Sequence, residues 1–201
     1  MKEDRERWDR KYGERKFDPR QGVSSILRKH IGLFPGGKAL DLASGEGRNA
    51  VFLAEKGFQV EAIDISPVAL KRAERTARLR GVGIRTISAD LDTFAIPEER
   101  YDLILDFYFF DRRLIPKIQR GLKKGGMVVF ETHTVDQRGM AEGGPAHAKY
   151  LLKPNELLRL FRGFHVVFYR EGTFKEGGKR RAIASLIARK PGARRTVHGT
   201  R

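Results

Sequence analysis

Apolar and polar positions along this chain change their period repeatedly. Short runs of consecutive apolar residues, the mark of strands buried on both faces, alternate with stretches in which apolar residues recur every three or four positions. The runs predict strands at Ala39–Ala43, Val60–Ile63, Ile84–Ser88, Tyr101–Asp106 and Met127–Glu131. Between them, Arg48–Lys56 reads as a helix closed by Gly57, and Ser66 caps a second helix that has Pro67 at its first position and runs to Gly81. Asp111 caps a helix reaching Leu122, kinked or delayed by Pro116. Pro97–Arg100 and Lys123–Gly126 are turns, and Pro154–Phe161 is a short helix. Phe164–Tyr169 and Ala182–Ala188 form an antiparallel hairpin across Gly177 and Gly178. Residues 1–30 are a helical preamble, with Trp8 and Tyr12 on one helix face and a further helix over Ser24–Lys29. This alternation predicts an α/β fold: a doubly wound, mostly parallel sheet with helices on both faces.

Bulk properties narrow the classes. The 201 residues make one domain, with no internal repeat and no linker. No apolar run approaches the roughly 18 residues a membrane span needs, and the charged start Met1–Trp8 has no apolar signal core. With no cysteine, disulfides, thiolate catalysis and cysteine-bound zinc are excluded, and a cytoplasmic location is expected. The formal net charge is +16, and from Lys153 onward 13 Lys and Arg face 3 acidic residues. That excess reads either as a footprint for nucleic acid or as a solvated face ending in a flexible basic tail, residues 191–201. No aromatic-and-basic nucleic-acid motif accompanies it, so nucleic acid is a possible partner and not the favoured one.

The chemistry concentrates around Ala39–Ala50. There a strand breaks into a turn at Gly45 and Gly47 and then opens a helix, so a ligand can approach the main chain and meet unpaired N–H groups. Gly45-x-Gly47-x-x-Ala50 by itself fits either a nicotinamide dinucleotide or S-adenosylmethionine. Three acids tip the balance toward S-adenosylmethionine and leave a nicotinamide oxidoreductase as a distant alternative, Asp64 suiting either cofactor. Asp41, inside the strand, would repel a pyrophosphate and attract an ammonium or a sulfonium. Asp64, ending the next strand, can accept two ribose hydroxyls. Asp90 can accept from an adenine amine while the Leu91 N–H serves the ring nitrogen. Each lies at the carboxyl end of a successive strand, where open α/β sheets bind ligands.

Asp41-x-Ala-Ser-Gly-Glu-Gly47, Asp64 and Asp90 resemble the motifs of class I S-adenosylmethionine-dependent methyltransferases. Trp8-Asp-x-x-Tyr12, Asp41–Asn49, Leu122–Gly126 and Ala188-Arg-Lys190 resemble the small single-domain group related to tellurite-resistance and thiopurine enzymes. The resemblance spans residues 1–190 and implies a Rossmann-like sheet of seven strands, the last antiparallel, with residues 1–35 as a preamble or lid. It implies a cofactor set of Trp8, Tyr12, Asp41, Ala43, Ser44, Gly45, Gly47, Arg48 and Asn49 around the turn. Further on, it implies Asp64, Ile65, Ser66, Asp90, Leu91, Asp106 and Phe107. Substrate contacts or catalysis fall to His133 and Tyr12, with no metal. Tellurite enzymes carry a His-Arg pair before the last strand. This chain has Gly172–Glu176 there, without histidine, which sets tellurite itself apart.

The expected reaction is in-line transfer of methyl from S-adenosylmethionine, leaving S-adenosylhomocysteine, to a small-molecule soft nucleophile. An RNA or protein acceptor, or a non-catalytic cofactor-binding module, is the alternative. Oligomeric state is expected to be monomer or homodimer. Several residues have two readings. Trp8 and Tyr12 either close over the cofactor or staple the preamble. Arg48 and Asn49 either meet the methionine carboxylate or cap the helix. His133 is a base or a hydrogen-bonded loop histidine. Phe109 and Phe110 line a pocket or pack the core, Gly139–Pro145 covers the substrate or is plain surface, and Lys179–Arg181 is a solvated hairpin end.

Overall fold

The structure, a computed structural model, describes residues 2–19, 22–140, 144–145, 147–176 and 178–192. It opens with helices α1 (Lys2–Glu14) and α2 (Ser25–Lys29), and strand β1 (Lys38–Leu42) leads into α3 (Arg48–Glu55). Next come β2 (Gln59–Asp64), α4 (Pro67–Leu79), β3 (Arg85–Ser88) and β4 (Tyr101–Phe107). The chain continues with α5 (Ile115–Gly121), β5 (Leu122–His133), α6 (Glu156–Leu160), β6 (His165–Glu176) and β7 (Lys179–Arg189).

The strands form one seven-stranded sheet in the order β3-β2-β1-β4-β5-β7-β6. All pairs from β3 to β5 are parallel, and β7 runs antiparallel to both β5 and β6. The order reverses between β1 and β4, which opens a crevice beyond their carboxyl ends. Alternation along the strands divides the core. Leu40, Leu42, Ile104, Val128 and Phe130 pack with Ile118 of α5 and Leu157 of α6. Ala39, Leu103, Leu105 and Val129 pack with Ile26 and Leu27 of α2 and Ala50 and Leu53 of α3. These side chains are buried, which supplies the main driving force for the layered fold.

Three elements depart from the sequence expectation. Lys123–Gly126 does not separate a helix from a strand. β5 already pairs at Tyr101↔Leu122 and resumes at Leu103↔Met127, so the Lys-Lys-Gly-Gly segment is an irregularity within the strand. Gly125, at φ 79°, provides the left-handed step. The helix expected from Asp111 to Leu122 is divided: Asp111 accepts from the Arg113 N–H at 2.9 Å and caps a 3₁₀ turn, Arg112–Leu114. Pro116 then stands in the first turn of α5, where its missing N–H is not needed. The hairpin arms are longer than the apolar runs suggested. The ladder continues through Lys175↔Arg180 to Glu176↔Lys179, polar residues with no alternation to announce a strand. Most of the expected tail, from residue 193, and part of the Gly139–Pro145 loop, residues 141–143, lie outside the described residues. No helix among the described residues is long and apolar enough to cross a membrane.

Candidate functional site

The carboxyl edge of the sheet presents a row of acids. In spatial order these are Asp90 after β3, Asp64 ending β2, Asp41 in β1 and Asp106 in β4, followed by His133 ending β5. The turn after β1 steps through left-handed backbone at Ala43 (φ 49°), Gly45 (56°) and Gly47 (74°). Ala43 is a non-glycine residue held there, a conformation that is mildly strained for an L side chain. Asp64 anchors this turn: Oδ2 accepts from the Gly45 N–H and Oδ1 from the Ser66 N–H, each at 2.8 Å. Burial pushes its carboxyl above the usual range, and those N–H groups pull it back. A carboxylate oxygen has two lone pairs, so each can still accept a hydroxyl.

Among the described residues, eight buried side-chain atoms have no hydrogen-bond partner. Six of them sit at this edge: Asp41 Oδ2, Ser44 Oγ, both oxygens of Asp106, His133 Nδ1 and Thr134 Oγ1. Buried polar groups are nearly always paired, so such a concentration marks a place built for a ligand. Burial pushes Asp41 up to about 7, with Arg48 and the Ala50 N–H opposing and Asp64 adding to the rise. Asp106 is held well above the carboxylate range by burial and by Asp41. These acceptors suit a ligand rich in cationic and donor groups and poor in negative charge. Asp90 uses Oδ1 to accept from the Asp92 N–H at 2.9 Å, and Leu91 is buried beside it. Leu91 also helps line a cavity of about 190 Å³ with Phe109, Leu114 and Lys117.

Helix α1 lies over the glycine turn. A Cβ built on Gly45 would stand 2.7 Å from the Tyr12 hydroxyl, and Tyr12 stacks on Trp8 with ring centroids 5.8 Å apart. Two ties hold the helix there. Ser66 Oγ donates to Asp9 at 2.5 Å. Arg72 donates to the Arg15 carbonyl at 2.9 Å and forms an ion pair with buried Glu46 at 2.8 Å. Ser66 also caps α4, accepting from the Ala69 N–H at 3.2 Å. Ser66→Ala therefore removes a cap and a tie together. The expected loss is about 1 kcal/mol in urea unfolding, typical of a helix cap, accompanied by faster amide exchange in α1.

Other expected site residues divide. Asn49 is buried and accepts from the Ser24 N–H at 3.0 Å, so it joins α3 to α2 rather than capping α3. Arg48 reaches the Gly22 carbonyl at 3.4 Å. Ile65 is half-buried between Asp64 and Ser66. The Phe107 side chain belongs to the core, as does that of Phe110, while Phe109 is partly buried.

Beyond β4 the structure assembles a group the sequence did not single out. Tyr108 has φ 62°, and its hydroxyl donates to buried Glu131 at 2.9 Å. Glu131 also accepts from Ser185 at 2.7 Å and Arg170 at 3.3 Å. The Tyr108 ring lies 5.2 Å from the His133 ring and 5.2 Å from the Arg181 guanidinium. Arg181 thus sits over an aromatic ring and not at a freely solvated hairpin end. Burial and then Arg181 push His133 below the usual imidazole range, which favours the neutral ring. Only the positive φ of a tyrosine distinguishes this cluster locally, and no sequence pattern reports it.

A family model for a methyltransferase domain matches residues 39–126. Hemagglutinin 1 of Eikenella corrodens is 27% identical over 197 residues, covering 88% of this chain and 63% of that protein. The probable S-adenosyl-L-methionine-dependent methyltransferase TehB of Haemophilus influenzae is 27% identical over 169 residues, covering 76% of this chain and 57% of TehB. The chain thus spans less than two thirds of the length of these curated relatives. The TehB crystal structure superposes with a TM-score of 0.72 at 20% identity, covering 92% of this chain and 66% of that one. A structure described for the conversion of a disulfide bond into a thioacetal group during echinomycin biosynthesis superposes with a TM-score of 0.71 at 22% identity, covering 93% of each chain. The sequence similarities to methyltransferases imply S-adenosylmethionine as cofactor. In its motifs, fold and relatives, the chain is similar to the class I S-adenosylmethionine-dependent methyltransferases, and within them to the TehB-like group.

Proposed function

We propose that this protein transfers a methyl group from S-adenosylmethionine to a small-molecule soft nucleophile such as a thiol or other chalcogen. The observation that carries the reading is the run of unpartnered buried atoms from Asp41 to Thr134 along one sheet edge. When bound, the cofactor supplies a methyl group on a sulfonium, already an excellent leaving group. The chain's task is then to align donor and acceptor and exclude water, and orientation alone can contribute about 7–11 kcal/mol. Asp90 and the Leu91 N–H serve the adenine and Asp64 the ribose hydroxyls. Asp41, with Ser44 and the Gly45 and Gly47 turn, serves the amino acid end. Residues 1–35 act as the lid of a single domain, residues 1–190, with Trp8 and Tyr12 shielding the site from water. His133, neutral and with Nδ1 unpaired, can receive a proton from a protonated acceptor.

A small acceptor is favoured because His133 is only 8% exposed, with the Tyr108 ring 5.2 Å from it and the Arg181 guanidinium over that ring. The thioacetal chemistry described for one structural relative also concerns sulfur. A cytoplasmic location and a monomeric or homodimeric state belong to the same proposal. The test is formation of S-adenosylhomocysteine with a panel of thiols, selenols and RNA at graded salt. Turnover with small chalcogen nucleophiles is expected. Turnover on RNA alone would replace the small-molecule reading, and cofactor binding without any turnover would point to a binding module.

A further inference from the structure

Asp106 poses a problem that the assigned roles do not solve. It is fully buried at the sheet's switch point, opposite Leu42 in the β1–β4 ladder, and neither carboxyl oxygen has a well-formed hydrogen-bond partner; only the Phe109 N–H lies close enough to oppose the effect of burial. The charges around it do not neutralise it. On β1, Asp41 is another acid, and the cation nearest in effect, Arg48 at the start of α3, acts on Asp41, as does Asp64 of β2 with opposite sign. On β5, Glu131 is already engaged by Tyr108, Ser185 and Arg170. An isolated buried carboxylate is unstable, so in the free protein Asp106 holds a proton.

Its position says which cation would release that proton. Along the edge, Asp64 and Asp90 lie toward the adenosine side, Asp41 lies beside the glycine turn, and Asp106 lies on β4 next to the His133 end of β5. The transferable methyl must point toward that acceptor end. We infer that Asp106 is the group that distinguishes the sulfonium of S-adenosylmethionine from the neutral thioether of S-adenosylhomocysteine, ionising when the former binds and staying protonated with the latter. This rests on the cofactor reading proposed above. Binding of the sulfonium form therefore releases one proton that binding of the thioether form does not. Because the free protein carries the extra proton, affinity for the sulfonium form relative to the thioether form rises with pH. The limit is about tenfold per pH unit until Asp106 ionises unaided. Asp41 meets the ammonium that both ligands share, so its contribution cancels in the comparison.

The experiment is titration calorimetry of the full chain with each ligand, from pH 6.5 to 8.5, in buffers of different ionisation enthalpy. The wild type is expected to release close to one more proton with S-adenosylmethionine than with S-adenosylhomocysteine. Asp106→Asn, which keeps the shape and removes the ionisable group, is expected to abolish that difference and its pH dependence. Asp41→Asn is expected to change both ligands' proton counts and preserve the difference. Equal proton counts for the two ligands in the wild type, or an unchanged difference in Asp106→Asn, would overturn the inference alone. Failure of the wild type to bind either ligand would overturn the cofactor reading and the inference with it.

Discussion

Asp64→Ala is expected to weaken S-adenosylmethionine binding by at least about 100-fold and to lower the stability of the free protein by about 2–4 kcal/mol. The two effects have one origin. The carboxylate receives the buried N–H groups of Gly45 and Ser66, each at 2.8 Å. Alanine leaves both donors without an acceptor, at about 1–3 kcal/mol each, while relief of the buried charge offsets part of the loss. The Gly45 N–H then no longer fixes the turn, and the acceptors proposed for the ribose are gone as well. Asp64→Asn separates the contributions. Its one carbonyl oxygen can replace only one of the two carboxylate acceptors, so an intermediate loss of stability is expected. Calorimetric titration and urea unfolding check both quantities. Binding within threefold of wild type in Asp64→Ala would show that the ribose is held elsewhere.

The same residue illustrates what a sequence can and cannot convey. Asp64 stands out in the sequence as a candidate ligand carboxylate because it ends an apolar run one strand after a glycine turn. Its second task, holding that turn to the start of α4, was not legible, because the Gly45 N–H lies 19 residues away and comes near only when β1 and β2 pair. Local rules located most elements. The Ser66-Pro67 start of α4 and the parallel strands from β1 to β4 follow from capping chemistry and apolar runs, and a helix ends just before Gly57 as expected. The misses share a cause: segments whose conformation is imposed by partners distant in sequence. Lys123–Gly126 reads as a turn until the ladder of β4 with β5 draws it into the strand. The polar outer halves of β6 and β7 are strands because they pair with each other.

At the site the same division holds. The acids and the glycines are recognisable one by one, since their chemistry is in the side chain or its absence. Tyr108, just past β4, gathers with Glu131 of β5, Arg170 of β6 and Arg181 and Ser185 of β7, and only the sheet order makes them neighbours. Pairing between residues distant in sequence therefore matters most beside His133, where the hairpin folds back on β5.

The glycine turn itself supports the second large effect, in Gly47→Ala. A Cβ at position 47 would stand 2.6 Å from the Ala73 Cβ and 3.2 Å from its Cα. The obstacle includes the backbone of α4, so no side-chain rotation relieves it; the helix itself must move away from the turn. The left-handed backbone at φ 74° adds about 1–2 kcal/mol for an L side chain, and overpacking adds about 1–3 kcal/mol. Together these predict a loss of about 2–5 kcal/mol. Moving α4 also strains the Glu46–Arg72 pair and the Ser66–Asp9 tie, so α1 should loosen in parallel. Two other glycines separate the terms. Gly57, at φ 85° with nothing within 4 Å of a built Cβ, should show the backbone term alone when changed to alanine. Gly45→Ala meets only the far end of Tyr12, which can swing aside, so it should displace that ring of α1 with little further loss of stability. Urea midpoints of the three variants give the order directly. If Gly47→Ala proved no less stable than Gly57→Ala, close contact between the turn and α4 would not be what fixes the cofactor edge.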